Sequence, residues 1–175
     1  MRTLDHVPVL LLGRRGDILA HNPLLTAVLG SALNPGSSFV RFLFQDPIAR
    51  ERIINWPAFA SASVAALRRE LGRRPHDRHL LALTDELRRT DPDVARWWDD
   101  HAVRDYASVT KRIQHPTAGP LNFDIEIVYA PHEPDQHLVI YTTEPNTPTA
   151  LVLPLLTSWD TQPPITTEHH PHQRR

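Results

Sequence analysis

After Val103 the hydrophobic period of this chain changes from about 3.6 residues to 2. The stretch "LNFDIEIVYA" (Leu121 to Ala130) alternates strictly. Leu121, Phe123, Ile125, Ile127 and Tyr129 are expected to face one way, and Asn122, Asp124 and Glu126 the other. That is an antiparallel strand with one face buried and one wet. "SVTKRIQHP" (Ser108 to Pro116) and "QHLVIYTTE" (Gln136 to Glu144) flank it as further strands, set off by Pro, Gly and Asp turns.

Before that point the pattern is helical, apart from an opening hairpin. "VPVLLLGRRGDILAHN" (Val7 to Asn22) reads as strand, turn, strand, with Gly13, Gly16 and Asp17 in the turn. Asn22 is an N-cap and Pro23 a first helical residue; the helix they open closes at Gly30. "FVRFLFQ" (Phe39 to Gln45) is apolar and ambiguous in type. Asp46-Pro47 starts another helix through about Ile54, and Trp56-Pro57 is expected to break or kink it. A longer helix then stops at Gly72, with Trp56, Ala60, Val64, Leu67 and Leu71 on one buried stripe. Asp77 and Thr90-Asp91-Pro92 signal two more helix starts. Two short strands, a helical block and three strands make an α+β domain: a five-stranded antiparallel sheet with helices on one face. The domain is expected over 1–158, with a disordered Pro/His-rich tail over 159–175.

Several functions find no support. The formal net charge is -1, so no global basic field points to nucleic acid. Nearly every basic residue is Arg, and Lys111 is the one lysine. The Arg doublets at 14–15, 68–69, 73–74 and 88–89 read as solvated helix faces. Cysteine is absent, which excludes thiol catalysis and Cys-ligated zinc and fits a reducing cytoplasm. No apolar run nears the roughly 18–20 residues of a membrane-spanning helix. The His-rich tail and the His76/His79 pair lack a metal-site spacing, and no GxSxG, GxGxxG or phosphate-cradling loop occurs. Neither a cofactor, a metal nor an enzymatic activity is expected. A curved sheet face under helices carrying Trp56, Phe59, Trp97 and Trp98 can enclose a cavity for a small apolar ligand.

The order glycine, acid, apolar strand, Asn and amphipathic helix in "GRRGDILAHNP" (Gly13 to Pro23) resembles the start of PAS sensor domains. "FQDPIARERIINWPAFASASVAALRRELGRRPHD" (Phe44 to Asp77), "WWDDHAV" (Trp97 to Val103), "TKRIQHPTAG" (Thr110 to Gly119) and "LVIYTTEP" (Leu138 to Pro145) narrow the match. Together they resemble the ligand-binding domain of MmyB-like transcription regulators, over about Asp5 to Leu156. The resemblance implies a PAS-like fold and a cytoplasmic bacterial regulator, typically actinobacterial. Its ligand would be a small apolar molecule, a fatty acid being the best candidate. The family carries an Xre-type helix-turn-helix ahead of this domain. None is readable in the given sequence, so the chain itself is not expected to bind DNA.

From strand and helix facing together with the resemblance, the expected pocket lining is Phe44, Phe59, Val64, Leu67, Trp98, Phe123, Ile125 and Tyr141. Arg112 or His101 is the expected carboxylate partner. Three positions depart from the family pattern: His21 where Trp is usual, Ile125 where Tyr is common, and Asn146 where Gly follows Glu-Pro. The alternative is a PAS-like homodimerisation or protein-interaction module with a filled core.

Overall fold

The computed structural model describes residues 4–30, 33–100 and 109–159. It is an α+β fold built on an open five-stranded antiparallel sheet, as expected. The strands are β1 (Val9–Gly13), β2 (Ile18–His21), β3 (Val109–His115), β4 (Gly119–Ala130) and β5 (Glu133–Thr142). Their spatial order is β2-β1-β5-β4-β3. The opening hairpin is therefore joined to the C-terminal strands through β1 and β5, with Val9 opposite Ile140 and Leu12 opposite His137.

The helices are α1 (Pro23–Leu29), α2 (Phe39–Gln45), α3 (Pro47–Arg52), α4 (Trp56–Arg73), α5 (Arg78–Thr90), α6 (Pro92–Asp99) and α7 (Pro148–Trp159). Their starts follow the cap chemistry of the sequence. Asn22 accepts from Leu25 N, Asp77 from His79 N and Leu80 N, and Asp91 from Asp93 N and Val94 N. Gly30 closes α1 at φ 62°, in the left-handed region that glycine occupies without strain. Asn22 does more than cap. Its Oδ1 also accepts from Val9 N, and its Nδ2 donates to Leu4 O and Val7 O, so one buried amide ties β1 to α1.

Several boundaries differ from expectation, each for a physical reason. The ambiguous Phe39–Gln45 piece is a helix, capped by Ser38. Trp56-Pro57 opens α4 rather than breaking a helix, because a proline in the first turn has no hydrogen bond to lose. That helix runs through Gly72 to Arg73. α7 has no counterpart among the expected elements, because Pro154 interrupts its period. Residues 119–123 of β4 pair with β3 but not with β5, and there the Thr149 hydroxyl of α7 accepts from Asn122 N.

Two apolar clusters fill the space on the inner face. One holds α1, α7 and the sheet residues Leu10, Ile18, Ile113, Leu121, Phe123 and Tyr141. The other holds the block α2 to α6, including Leu43, Trp56, Val64, Leu80, Leu87 and Val94. Phe39, Phe42 and Ile125 pack against both and mark the seam between them. The far half of β4 runs past the helices. Ile127 and Tyr129, expected inside, are exposed, Tyr129 by 60%.

The arginine doublets, expected as solvated faces, are partly exposed, and several of their members pair within a helix end or across elements. Arg14 meets Asp135, Arg15 meets Asp77, and Arg74 meets both Glu70 and Asp135. The Arg15 bond holds the Asp77 carboxylate below its ordinary pKa. Arg50 bridges α3 to the α6 cap at Asp91 and stacks on Trp56 at 3.8 Å.

Candidate functional site

β3 carries two of the buried polar side chains, Lys111 and His115. Strand alternation turns Lys111, Ile113 and His115 toward the helices and leaves Thr110, Arg112 and Gln114 on the outside. The backbone around Lys111 is held on both edges. On one side Lys111 is opposite Phe123 of β4. On the other, residues between α3 and α4 act as a short extra strand. Ile54 N donates to Arg112 O at 2.8 Å, Arg112 N donates to Asn55 Oδ1 at 2.9 Å, and Asn55 Nδ2 donates to Thr110 O at 2.8 Å. Asn55 precedes α4 yet makes no side-chain cap, because its amide is committed to β3.

The Lys111 side chain is fully buried. Its Nζ donates to Tyr141 Oη at 3.1 Å. Three rings surround the nitrogen, with centroids at 4.6 Å for Phe59, 5.1 Å for Tyr141 and 5.3 Å for Phe39. Phe123 stands edge-on to Tyr141 at 5.7 Å. Among the described residues no carboxylate forms an ion pair with this amine. Burial pushes its pKa down to about 7 and raises that of the Tyr141 phenol. A buried cation without a counter-ion is costly, and ring faces offset only part of that cost. Packing alone gives no reason to place it there.

His115, on the same face of β3, is fully accounted for. Its Nδ1 accepts from Thr117 N and Ala118 N, so Nε2 carries the proton and donates to Ala27 O at 3.0 Å. Burial lowers its pKa, in keeping with this neutral tautomer. It joins the β3–β4 turn to α1.

The expected lining separates into three groups. Phe59, Phe123 and Tyr141 gather around Lys111, with Ile125 at the seam nearby. Phe44, Val64 and Leu67 lie inside the helical cluster, Phe44 edge-on to Trp56 at 6.0 Å. Trp98 is half-buried at its rim, with Arg88 over its ring and its carbonyl accepting from Arg68. Arg112 is exposed on the outer face, where Nε donates to Asn122 Oδ1. His101 lies outside the described residues. His21 is half-buried with Nε2 2.7 Å from Leu33 O and Nδ1 3.2 Å from the Thr26 hydroxyl; it packs beside α1 and not at the amine. Lys111 is not among the expected site residues, whereas its neighbour Arg112 is. The available signal was its place in the alternation, in register with Ile113.

A shallow pocket lined by Asp85, Arg88, Arg89 and Ala95 lies on the α5–α6 surface, away from the amine. No group of three or more potential metal ligands gathers among the described residues. No helix among them is long and apolar enough to cross a membrane.

A two-layer α+β domain with a buried amine boxed by aromatic rings has the makings of a receptor for a small molecule. The chain belongs to the family of MmyB-like transcription regulator ligand binding domains, whose family model matches residues 1–156. It is therefore the ligand-binding part of a transcription regulator, a class not typically catalytic. No curated protein matches it.

Proposed function

We propose that this domain senses a small, largely apolar, fatty-acid-like molecule, held between the helices and the inner sheet face. The observation that carries this reading is the Lys111–Tyr141 pair, a polar island enclosed by Phe39, Phe59 and Phe123 where the two layers meet. A ligand there parts the layers and selects conformers in which they stand further apart, and it switches the regulator only by binding one state better than the other. On this reading the domain works in the cytoplasm, and its effect on DNA passes through a helix-turn-helix partner domain. The test is thermal unfolding of the purified protein with saturated acids and alcohols of increasing chain length. A ligand at about 100 times its Kd adds about 2.7 kcal/mol and raises Tm by several degrees. No shift at any length, with no lipid in organic extracts of the protein, sinks the reading.

A second reading, a homodimerisation module, draws on the exposed Ile127, Val128 and Tyr129 of β4. Sedimentation of wild type against Tyr129→Glu decides it: a dimer that the substitution dissociates supports it.

A further inference from the structure

We infer that Lys111 is a covalent capture site for apolar aldehydes, which its amine binds as a neutral imine hydrogen-bonded by the Tyr141 phenol. The inference goes beyond the proposed reversible ligand. It asks only that the layers part to admit a carbonyl compound, and its failure leaves that reading untouched.

The site joins the parts that such a reaction needs. Lys111 is the one lysine of the chain, and its side chain is fully buried. Phe59, Tyr141 and Phe39 place their ring centroids 4.6, 5.1 and 5.3 Å from Nζ. An amine is nucleophilic only without its proton, and desolvation in an apolar box favours that form. Burial brings this amine to a pKa of about 7, so about half of it is neutral at pH 7. At the ordinary value of 10.5 only about one in 3,000 would be. The groups facing the amine from α2, α4, β4 and β5 are Phe39, Phe59, Phe123 and Tyr141. Of these only Tyr141 titrates, and burial raises its pKa, so it stays a phenol. His115, further along β3, is bonded to Ala27 and to the turn, and does not reach the amine.

The step balances without a co-reactant. Nζ bonds to the carbonyl carbon, and one amine proton passes to the oxygen. The hydroxyl so formed leaves with the second amine proton as water, and a C=N bond remains. The product is uncharged, so the cost of a buried ammonium disappears. Exclusion of water from the apolar interior then protects the imine from hydrolysis. Tyr141 completes the fit. Its Oη accepts from Nζ at 3.1 Å, and its own O–H meets no acceptor among the described residues. An imine nitrogen has a lone pair and no proton, so the same contact reverses and the phenol donates. The rings suit an apolar remainder on the aldehyde and penalise a charged one.

The experiment equilibrates the purified protein with benzaldehyde or, separately, glyoxylate at pH values from 7 to 9.5, then freezes the imine with a pulse of borohydride. Peptide mass spectrometry separates the Lys111 adduct from that of the terminal α-amine. Expected is a benzyl adduct on Lys111 of the folded protein whose yield changes less than about threefold over this range. In urea-unfolded protein the yield at pH 7 is at least about tenfold lower, and it climbs steeply toward pH 9.5. Relative to the terminal α-amine, glyoxylate labels Lys111 at least about tenfold less than benzaldehyde does. Tyr141→Phe, checked for folding by circular dichroism, lowers the benzaldehyde yield several-fold. The inference is overturned by no Lys111 adduct in folded protein, by a folded yield that follows the pH profile of the unfolded chain, or by equal labelling with the two aldehydes. An adduct that has lost the native circular dichroism, or a folded Tyr141→Phe labelled as fully as wild type, overturns it too. Should Tyr141→Phe fail to fold, the pH profile and aldehyde preference of wild type decide. None of these results bears on the thermal shifts with acids and alcohols, which test the reversible ligand separately.

Discussion

Replacing Lys111 by Met should make the empty domain more stable, and by an amount that depends on pH. The amine is fully buried and its pKa falls from 10.5 in the unfolded chain to about 7 in the folded one. At about 1.4 kcal/mol per pH unit, that difference is worth about 5 kcal/mol. The three rings facing the nitrogen offset part of it, at roughly 0.5–1 kcal/mol each for the charged form, which leaves about 2–4 kcal/mol. The sign follows from proton counting. Between about pH 7 and 10.5 the unfolded chain binds a proton that the folded chain lacks, so the lysine protein gains stability as pH rises through that window. Below it both states are protonated and the full cost is present. Methionine matches the stem without the charge, so Lys111→Met should exceed wild type by about 2–4 kcal/mol at pH 6. The gap should narrow toward pH 10. Urea unfolding of both proteins from pH 6 to 10 measures it, each midpoint converted with its own slope. A gap that stays constant across this range, or a wild type more stable at pH 6, would refute the account of the buried amine.

Three further outcomes test the frame around the site. Asn22→Ala should cost about 2–4 kcal/mol in chemical denaturation, since it strips acceptors from the buried Val9 and Leu25 amides and a donor from two carbonyls. Asn22→Asp, which keeps the acceptor, should recover part of that loss. The neutral His115 ring should carry its proton on Nε2 and should titrate below the ordinary histidine range by imidazole nitrogen NMR; because burial lowers its folded pKa, stability should fall as pH drops below 6.5, and a ring already half-titrated above 6.5 would contradict this. Asn146 sits at φ 63°, so Asn146→Ala should lower stability by about 1 kcal/mol while Asn146→Gly should not, as read from paired thermal melts.

How much of this was legible in the sequence depended on the range of the interaction. Caps are local, so Asn22, Asp77 and Asp91 were readable from the residue type and the helix that follows. The alternation in β4 was readable, yet how far the helical layer covers that strand is a tertiary fact, and Ile127 and Tyr129 proved exposed. The interruption by Pro154 hid α7. Asn55-Trp56-Pro57 looked like a break because nothing in the local sequence shows that Asn55 bonds to β3 more than fifty residues away. The departure at Asn146 became intelligible only through its backbone: asparagine tolerates the left-handed conformation better than most residues that could replace glycine. Around the buried amine stand Phe59, Phe123 and Tyr141, three of the residues the sequence singles out, whereas the carboxylate partner expected there is Arg112 or His101 and not Lys111. The general expectation that lysine stays wet outweighed the strand register that turns Lys111 inward.

The scarcity of lysine has a practical consequence. Every other basic side chain is a guanidinium or an imidazole, so an amine-reactive reagent finds one side-chain target in the whole chain, and that target is sealed. Lys111 can be acylated only during excursions in which sheet and helices separate. Its labelling rate is therefore a clock for that opening, and the fraction of protein labelled after a fixed exposure counts how often the interior was entered.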